Sequence, residues 1–380
     1  MKTMLRACGC LLVAVPLIAL SQQETKPSPD PKPQLRDPVL VKRPPAGYEA
    51  IEAKEGRIHL DVIVTDAAGK LVSGLTAKDF TLLDDNRAQQ IVSFRSFDGR
   101  NEPPVDSNGQ AHNVDASAEP PTEIILVIDT LNAGFAEVSF TRDKVEKFLE
   151  KSGHLTQPIS ILLLADNGFV ARAGPSADGK ALAKAVHSMQ TGMHTINAAQ
   201  GASGALEQLQ RSVRSVALIA NNAVKRPGRK LLIWTGPGWP TLRGESDIYS
   251  ARGHQLNFET IISLSTSLRE AQMEICSAGG GSEFYVRDYM KGIRTAKQAN
   301  SGNLALPILA VQSGGMSLNG GNHGHPEDQI KTCLADADAY YRISFDPPKS
   351  TESDEYHDLK VRVAKPGLTA RTNTGYYDQP

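Results

Sequence analysis

Two clusters of polar side chains in the sequence carry groups that could bind a metal ion. The first, Asp84, Asp85 and Asn86, offers adjacent oxygen ligands, as part of a calcium loop does. No glycine and distal glutamate follow at the EF-hand spacing, so a hairpin turn accounts for this run better. The second cluster joins two histidines to two carboxylates: His323, His325, Glu327 and Asp328. Imidazole and carboxylate together suit a transition metal, although histidine in such a Gly/Asn-rich loop is often only a soluble filler.

The short motifs of common catalytic sites are absent from the sequence. There is no Gly-x-Ser-x-Gly nucleophile elbow, no His-Glu-x-x-His zinc motif and no phosphate loop that ends in Gly-Lys-Ser or Gly-Lys-Thr. The glycine run at residues 279–281 lacks the spacing of a dinucleotide-binding loop and suits a flexible loop. We therefore predict a protein that is not an enzyme and that needs no cofactor.

The composition limits the class of protein. The chain has 380 residues, with 41 Lys and Arg against 42 Asp and Glu, a formal net charge of −1 and 22% charged residues. This length suits two domains, or three with one small. The charge balance argues against a disordered chain and against a globally basic nucleic-acid-binding protein, so we expect no nucleic acid partner.

The N-terminus has the pattern of a secretory signal peptide. Two basic residues, Lys2 and Arg6, precede an apolar stretch at residues 7–20. This stretch is too short to span a membrane. Small residues precede a cleavage site between Ser21 and Gln22. An uncleaved N-terminal anchor is the alternative. We expect an exported protein, periplasmic or extracellular, with no transmembrane helix in the mature chain.

Cleavage would remove two of the four cysteines and leave Cys276 and Cys333. An exported protein permits a disulfide, and two cysteines allow only one pairing. Two buried free thiols are the alternative, because sequence spacing does not determine whether the sulfur atoms meet.

The pattern of apolar residues along the sequence predicts the strands and helices that must position the candidate ligand residues. Alternating apolar residues predict strands at residues 57–66, 80–83 and 90–97, with a hairpin turn at 84–87. Continuous apolar runs predict strands buried on both faces of a parallel sheet, at residues 124–128, 159–164, 231–234 and 273–276. Apolar stripes at helical spacing alternate with these strands, around residues 145–149, 182–189, 206–220 and 261–268. This alternation predicts a doubly wound α/β sheet.

The C-terminal region returns to strand patterns, at residues 341–345, 359–364 and 368–372. Three strands alone bury little apolar surface. We therefore predict that they pack with the N-terminal strands as a small β-sandwich-like module, with the α/β domain inserted between the two parts. The predicted segments are a signal peptide (1–21), a Pro-rich linker (22–49), a β module (50–98), a linker (99–121), the α/β domain (122–338) and the C-terminal strands (339–380).

The order of several short motifs resembles that of the exported von Willebrand factor A (VWA)-related proteins of bacteria, of the type common in Acidobacteria. The motifs are Val64-Thr65-Asp66-x-x-Gly69, Leu75-Thr76-x-x-Asp79-Phe80, Gln89-Gln90-Ile91-x-x-Phe94, the strand 123–129, the segments 228–234 and 237–240, the strand 339–345, and Gly375-Tyr376. The likeness runs from about residue 50 to residue 377. It implies a VWA-like, Rossmann-like fold with β-strand flanks and implies little about a ligand.

The resemblance also implies a position for a metal-ion-dependent adhesion site. Such a site usually holds Mg²⁺ with Asp-x-Ser-x-Ser after the first strand, a threonine from a later loop and an aspartate after the fourth strand. Asp129 matches the first position and Thr195 the loop threonine, whereas Leu131 and Ala133 occupy the serine positions. Gly236 stands where the second aspartate is expected.

The remaining ligand set is incomplete. Asp129 and Thr195 would need Thr130 or Asn132 as substitutes in a shifted geometry to bind Mg²⁺ or Mn²⁺. The alternative, which we prefer, is that Asp129 caps the following turn or helix and that the metal site is degenerate.

Two tryptophans flank the turn at residues 236–238, after the predicted strand at 231–234. Trp234 and Trp239 could form an exposed aromatic patch for a partner, although core packing accounts better for Trp234 at least.

The function we expect is that of an exported, non-enzymatic protein-binding or scaffold module. Its VWA-like domain would contact a protein partner through loops that follow four strand ends: Asp129, Asp166, Thr235 and Cys276. One alternative is a Mg²⁺- or Mn²⁺-dependent adhesion protein with the shifted ligand set. The other is an exported hydrolase with no recognisable motif.

Overall fold

The computed structural model describes residues 56–98, 122–166, 168–189, 201–240, 250–279, 287, 289–318, 325–350 and 352–378. The predicted signal peptide with its cleavage site, both linkers, Thr195 and His323 lie outside these residues. The first seven strands are β1 (Ile58–Thr65), β2 (Phe80–Asp84), β3 (Arg87–Gln89), β4 (Ser93–Asp98), β5 (Glu123–Asp129), β6 (His154–Ala165) and β7 (Gly168–Asp178). The next seven are β8 (Lys230–Thr235), β9 (Met273–Ala278), β10 (Met316–Leu318), β11 (Ala339–Phe345), β12 (Tyr356–Val363), β13 (Thr369–Arg371) and β14 (Gly375–Tyr377).

The helices lie between the strands of the central region. They are α1 (Phe135–Ser152), α2 (Gly179–His187), α3 (Gly201–Ala223), α4 (Ala251–Glu270), α5 (Leu306–Gln312) and α6 (Pro326–Ala335). In the part of the chain that the structure describes, no helix is both long enough and apolar enough to cross a membrane.

The central sheet has six strands in the order β10-β9-β8-β5-β6-β7. All neighbouring pairs are parallel except β6 and β7, which run antiparallel. Side chains of β5 alternate between two cores, because successive residues of a strand point to opposite faces. Ile125 and Val127 pack with the apolar residues of α3 and α4, whereas Ile124 and Leu126 pack with those of α1 and α2. A mostly parallel sheet with helices on both faces is consistent with the Rossmann-like, VWA-like fold expected from the sequence.

Strand β7 was not predicted from the sequence. Its side chains are half-buried or exposed along its whole length, so the strand lacks the alternating or continuous apolar pattern that marks a buried strand. It joins the sheet as an antiparallel edge strand, and its pairing with β6 is interrupted by shifts in register. The apolar patterns of the sequence also did not predict the short elements α5, β10 and α6.

Strands from the two flanks of the α/β region pair with one another. They form two four-stranded sheets, in the orders β13-β1-β11-β4 and β14-β12-β2-β3. One hydrophobic cluster contains side chains from both sheets, among them Leu60, Phe80, Leu82, Ile343 and Val361. The N-terminal and C-terminal strands therefore share a common core.

The predicted third strand at residues 90–97 was wrong in its extent. The strand β4 begins only at Ser93 and pairs with β11. The strand β3 ends at Gln89, before the predicted segment, and pairs with β2 in the other sheet. Residues 90–92 lie between them outside any strand, where the chain passes from one sheet to the other. A strand that changes sheets needs a break in its pairing, and the local apolar pattern does not show that break.

A buried charge network joins the flanking strands to the central sheet. Arg229, immediately before β8, is fully buried, and its Nε and Nη2 donate to the two carboxylate oxygens of Glu274 at 3.2 and 2.5 Å. Its guanidinium stacks 4.7 Å from the ring centre of Tyr340 and lies 3.9 Å from Asp61 on β1. Asp61 also accepts two hydrogen bonds from Arg342 on β11, at 2.7 and 3.1 Å. Burial raises the pKa of Glu274 to about 7, against the opposing pull of Arg229.

We predict that Arg229→Met lowers the free energy of unfolding by about 3–5 kcal/mol, because it leaves the buried Glu274 carboxylate without its partner. Urea unfolding measures this change. Arg226→Met is the matched control, since Arg226 makes a similar two-pronged pair with Glu123 on an exposed surface. Loss of that pair should cost less than about 1 kcal/mol. Equal effects of the two substitutions would contradict the role assigned to Arg229.

Cys276 on β9 and Cys333 on α6 form a disulfide. Both residues are fully buried, and 57 positions separate them in sequence. The bond fastens α6 to the face of the sheet that also carries α1 and α2.

We predict that replacing both cysteines by alanine lowers the free energy of unfolding by about 4 kcal/mol, because the cross-link restricts the unfolded chain over a long loop. Urea unfolding with and without reductant measures the effect. The double variant should unfold identically in both conditions, whereas the native chain should lose stability in reductant. Two free thiols in the oxidised native protein, detected by alkylation and mass spectrometry, would contradict the prediction.

Candidate functional site

The carboxyl edge of the central sheet places Asp129 between two neighbouring strands. Asp129 ends β5, which lies between β6 and β8, and its side chain is buried. Oδ1 accepts the backbone N–H groups of Leu131 and Asn132 at 3.1 and 3.0 Å. Oδ2 accepts the Asn132 side-chain amide at 2.8 Å and the Trp234 indole N–H at 3.0 Å. Both oxygens of the carboxylate are thus occupied by protein donors, and burial raises the pKa of Asp129.

The other residues of the predicted ligand set point to different partners. The Thr130 hydroxyl donates to the carbonyl of Leu164 on β6 at 2.6 Å. The Asn132 amide also donates to the hydroxyl of Ser212 on α3 at 3.0 Å. The side-chain oxygen of Asn132 (Oδ1) is buried and has no hydrogen-bond partner among the described residues. The structure therefore brings Asp129 and Asn132 together and turns the Thr130 hydroxyl toward β6, while Thr195 lies outside the described residues.

Gly236, which follows β8, closes the space beside Asp129. Its backbone has a φ of 136°, and a Cβ atom added there would lie 2.9 Å from the Cβ of Asp129. A contact this short requires something to shift, so the aspartate expected at this position would displace Asp129. The hydroxyl of the preceding Thr235 donates to the carbonyl of Val127 at 2.7 Å. The carboxyl end of β8 is therefore packed tightly against that of β5.

Trp234 packs in the core, as expected from the sequence, and Trp239 does so as well, so the two do not form an exposed aromatic patch. Both side chains are buried, with ring centres 5.3 Å apart, and the Trp239 indole N–H donates to the carbonyl of Leu304 at 2.8 Å. A different aromatic residue is accessible at this edge. Phe135, the first residue of α1 after the Asp129 loop, is 75% exposed. Nothing in the sequence around Phe135 distinguishes it from a core phenylalanine.

Phe140, further along the same helix, is also exposed, and the ammonium group of Lys144 lies 5.5 Å from its ring centre. Phe140 is 47% exposed, against 75% for Phe135. Phe135 is therefore the most accessible large apolar side chain of α1.

A second group of ligand atoms lies in the flanking sheets, at the hairpin between β2 and β3. Asp85 and Asn86 form the turn with φ angles of 45° and 64°. Strand β12, which pairs with β2, brings His357 to this hairpin. His357 Nδ1 lies 3.0 Å from Asp84 Oδ1 and 3.9 Å from Asp85 Oδ2. Asp84 and His357 are buried, and Asp85 is partly exposed.

The structure treats the two clusters of candidate metal ligands differently. The predicted hairpin turn at Asp84 and Asp85 is present. His357, which no sequence pattern connected with this turn, joins the two aspartates there. In the other cluster, Glu327 binds Lys144 at 3.2 Å, and Asp328 lies 4.0 Å from Lys331. Among the described residues, His325 does not join these carboxylates in a metal-ligating group.

Burial raises and hydrogen bonding lowers the pKa of the Asp85 carboxyl. The Arg294 guanidinium donates to Asp85 Oδ1 at 2.8 Å, and the net result is a pKa below the usual value for aspartate. Asp85 is therefore a carboxylate at neutral pH.

Comparison with known proteins adds little to this geometry. No protein-family model matches the chain, and no curated protein matches it. One similar solved structure is the proximal thread matrix protein 1 of the mussel byssus, with a TM-score of 0.30, 9% identity and coverage of 57% of this chain and 47% of that one. This chain therefore spans about half the length of that protein.

Two further structures show similarity of the same degree. The manganese-loaded TRAP protein of Plasmodium vivax has a TM-score of 0.32 and 11% identity, with coverage of 66% of this chain and 92% of that one. The human COPII-coat protein Sec24c has a TM-score of 0.28 and 6% identity, with coverage of 69% and 44%. TM-scores of this size carry no inference about fold or function.

We predict that Asp129→Ala lowers the free energy of unfolding by at least about 2 kcal/mol, because it leaves several donors, including the buried Trp234 indole, without an acceptor. Asp178→Ala is the control. Asp178 caps α2 by accepting one backbone N–H in an exposed position, so its replacement should cost about 1 kcal/mol. Urea unfolding compares the two variants, and equal losses would contradict the importance of the Asp129 network.

Proposed function

We propose that the chain is an exported protein-binding module. Its VWA-like domain would contact a protein partner through the loops at the carboxyl edge of the central sheet, and the flanking strands would form a β-sandwich-like module that holds this domain. The observation that carries the proposal is the exposure of Phe135 beside these loops. Aromatic side chains are enriched in the buried centres of protein interfaces, where a few residues carry most of the binding free energy.

Binding through this edge would not require a metal ion at Asp129. Its carboxylate already accepts four hydrogen bonds from protein donors. A cation would have to break at least one of these bonds, and Gly236 leaves no room for a second aspartate. The alternative, a Mg²⁺- or Mn²⁺-dependent adhesion protein, would need that rearrangement together with Thr195.

Export to the periplasm or the cell exterior is part of the proposal. The Cys276–Cys333 disulfide supports it, because structural disulfides persist in oxidising compartments and are rare in the cytosol. The proposal includes no catalytic activity. Turnover of an ester or a peptide in broad substrate screens, abolished by a single substitution, would replace it with the hydrolase hypothesis.

We predict that Phe135→Ser removes a protein that the mature chain captures from an envelope extract, because the substitution deletes the exposed anchor of the interface. Quantitative mass spectrometry of immobilised native and variant chains measures the capture. Val92→Ser is the control, since Val92 is also an exposed apolar residue but lies between the flanking strands β3 and β4. It should leave capture unchanged.

The same capture is repeated in EDTA and in excess Mg²⁺. We expect no difference between these conditions. A requirement for Mg²⁺ that Asp129→Asn abolishes would favour the metal-dependent adhesion protein. Equal capture by the native chain and the Phe135→Ser variant would contradict the proposed binding surface.

A further inference from the structure

We propose that Asp84, Asp85 and His357 form a binding site for a divalent transition metal ion such as Zn²⁺. The site lies in the flanking sheets and is separate from the loops around Asp129. Each residue offers one ligand atom, and these three atoms all lie within 4.8 Å of one another.

The separations between these atoms suit a metal ion at their centre. Bonds of about 2.0–2.1 Å from a tetrahedral Zn²⁺ to nitrogen and oxygen ligands place the ligand atoms about 3.3 Å apart. The His357 nitrogen lies 3.0 Å from the Asp84 oxygen and 3.9 Å from the Asp85 oxygen, on either side of that value. Small side-chain rotations would equalise the distances.

The backbone holds these residues in place without a metal. The Asp85 N–H donates to the carbonyl of Asp358 at 2.9 Å, and the Asp358 N–H donates to Asp85 Oδ1 at 3.2 Å. The hairpin turn is thereby tied to β12, the strand that carries His357. The His357 ring stacks on Tyr376 with ring centres 4.7 Å apart and an angle of 15° between the rings, which holds its orientation.

A second observation points to a metal rather than to a hydrogen-bonded turn alone. In each of the three residues, the polar atom that faces away from the centre has its own partner. The Tyr376 hydroxyl donates to Asp84 Oδ2 at 2.8 Å, and Arg294 donates to Asp85 Oδ1 at 2.8 Å. His357 Nε2 lies 3.0 Å from the Ser350 hydroxyl. Outer partners of this kind orient the ligands of known metal sites and set the histidine tautomer.

The outer contact of His357 is compatible with metal binding through Nδ1. When Nε2 carries the proton and donates it to the Ser350 oxygen, Nδ1 presents a lone pair toward the carboxylates. Without a metal, Nδ1 shares a hydrogen bond with Asp84 instead. Metal binding would therefore replace one hydrogen bond with a coordination bond.

The site is open on one side. Asp84 and His357 are buried, whereas the Asp85 side chain is 36% exposed. The exposed part of Asp85 would give the ion access from solvent, and a water molecule would supply the fourth ligand. An imidazole nitrogen beside two carboxylates favours a transition metal over Mg²⁺ or Ca²⁺, which prefer ligand sets made of oxygen alone.

The order Ser350, His357, Asp84 also matches that of a serine nucleophile with its base and an orienting aspartate. The backbone N–H of Ser350, however, donates to the Asp378 carboxylate at 3.2 Å. In serine hydrolases the N–H of the nucleophile helps to stabilise the oxyanion, whereas here a negative charge occupies its place. The metal site is the better explanation of this group.

Titration of the metal-stripped mature chain with ZnCl₂ in a calorimeter tests the proposal. We expect one Zn²⁺ to bind per chain and Asp85→Asn to weaken binding at least about tenfold. Asparagine keeps the oxygen that accepts from Arg294 and tolerates the positive φ of the turn, so the fold should persist. Asp66→Asn is the control, because Asp66 also accepts backbone N–H groups at a turn but has no histidine beside it in a metal-ligating group of the described residues. It should bind as the native chain does.

A spectroscopic measurement identifies the ligand directly. Co²⁺ in place of Zn²⁺ should give visible absorption typical of four-coordinate cobalt with a nitrogen ligand, and His357→Gln should remove it. Far-ultraviolet circular dichroism verifies that this variant folds. If it does not fold, Asp85→Asn is used in the same cobalt experiment and should likewise lose the absorption.

Three results would overturn the proposal. One is no Zn²⁺ binding by the native chain. Another is equal binding by the native chain and the Asp85→Asn variant, which would assign the ion to another group such as His323 and His325. The third is that the Asp129→Asn variant loses Zn²⁺ binding whereas the Asp85→Asn variant keeps it. That result would place the metal at the sheet edge and would also contradict the metal-independent binding proposed above.

Discussion

The fully buried guanidinium of Arg229 constrains how the two parts of the structure meet. A buried charge without a partner is strongly destabilising, so the groups around it must arrive together. Those groups come from β9, from the end of α6 and from the flanking strands: Glu274, the Asp336 carbonyl, Asp61 and Tyr340. The flanking strands are thereby held at the end of the central sheet where β8 begins. The loops at the opposite end, around Asp129, do not take part in this contact.

Aspartates at two strand ends have opposite environments in this protein. Asp129 lies where parallel strands end, and every donor around it comes from the protein, including an indole N–H from the next strand. Asp84 ends an antiparallel strand, and one of its oxygens faces an imidazole and a second carboxylate. A carboxylate surrounded by donors is stable without a cation, whereas converging acceptors and an imidazole lone pair gain from one. The position where the VWA resemblance would place a metal is therefore the less suited of the two.

The two proposed sites lie in separate parts of the molecule. The carboxyl edge of the central sheet combines a closed polar centre with an exposed phenylalanine, which suits contact with a protein surface. The flanking sheets combine strands from both ends of the described chain, and a metal ion there would link the β2–β3 hairpin to β12. Such an ion would stabilise the pairing of segments that lie far apart in sequence.

Local patterns in the sequence determined most of the buried strands and helices. The apolar run before Asp129 becomes β5, and the runs at 231–234 and 273–276 lie within β8 and β9, because a strand covered on both faces must be apolar throughout. The edge strand β7 and the break between β3 and β4 left no such pattern, since their residues are exposed or change sheets. The two cysteines could be named from the sequence, but their pairing depends on the packing of α6 against β9.

The residues of the two candidate sites also show what the sequence determined and what only the tertiary structure decided. From the sequence alone, Asp129 was a carboxylate at a strand end, and Asp84 and Asp85 were a hairpin turn. Only the tertiary structure showed that Trp234 and Asn132 saturate Asp129, and that His357 reaches Asp84 across a separation of 273 positions. The register between β2 and β12 decides that second contact. The apolar pattern of a strand sets which face is buried, but it does not identify the distant strand with which β2 pairs.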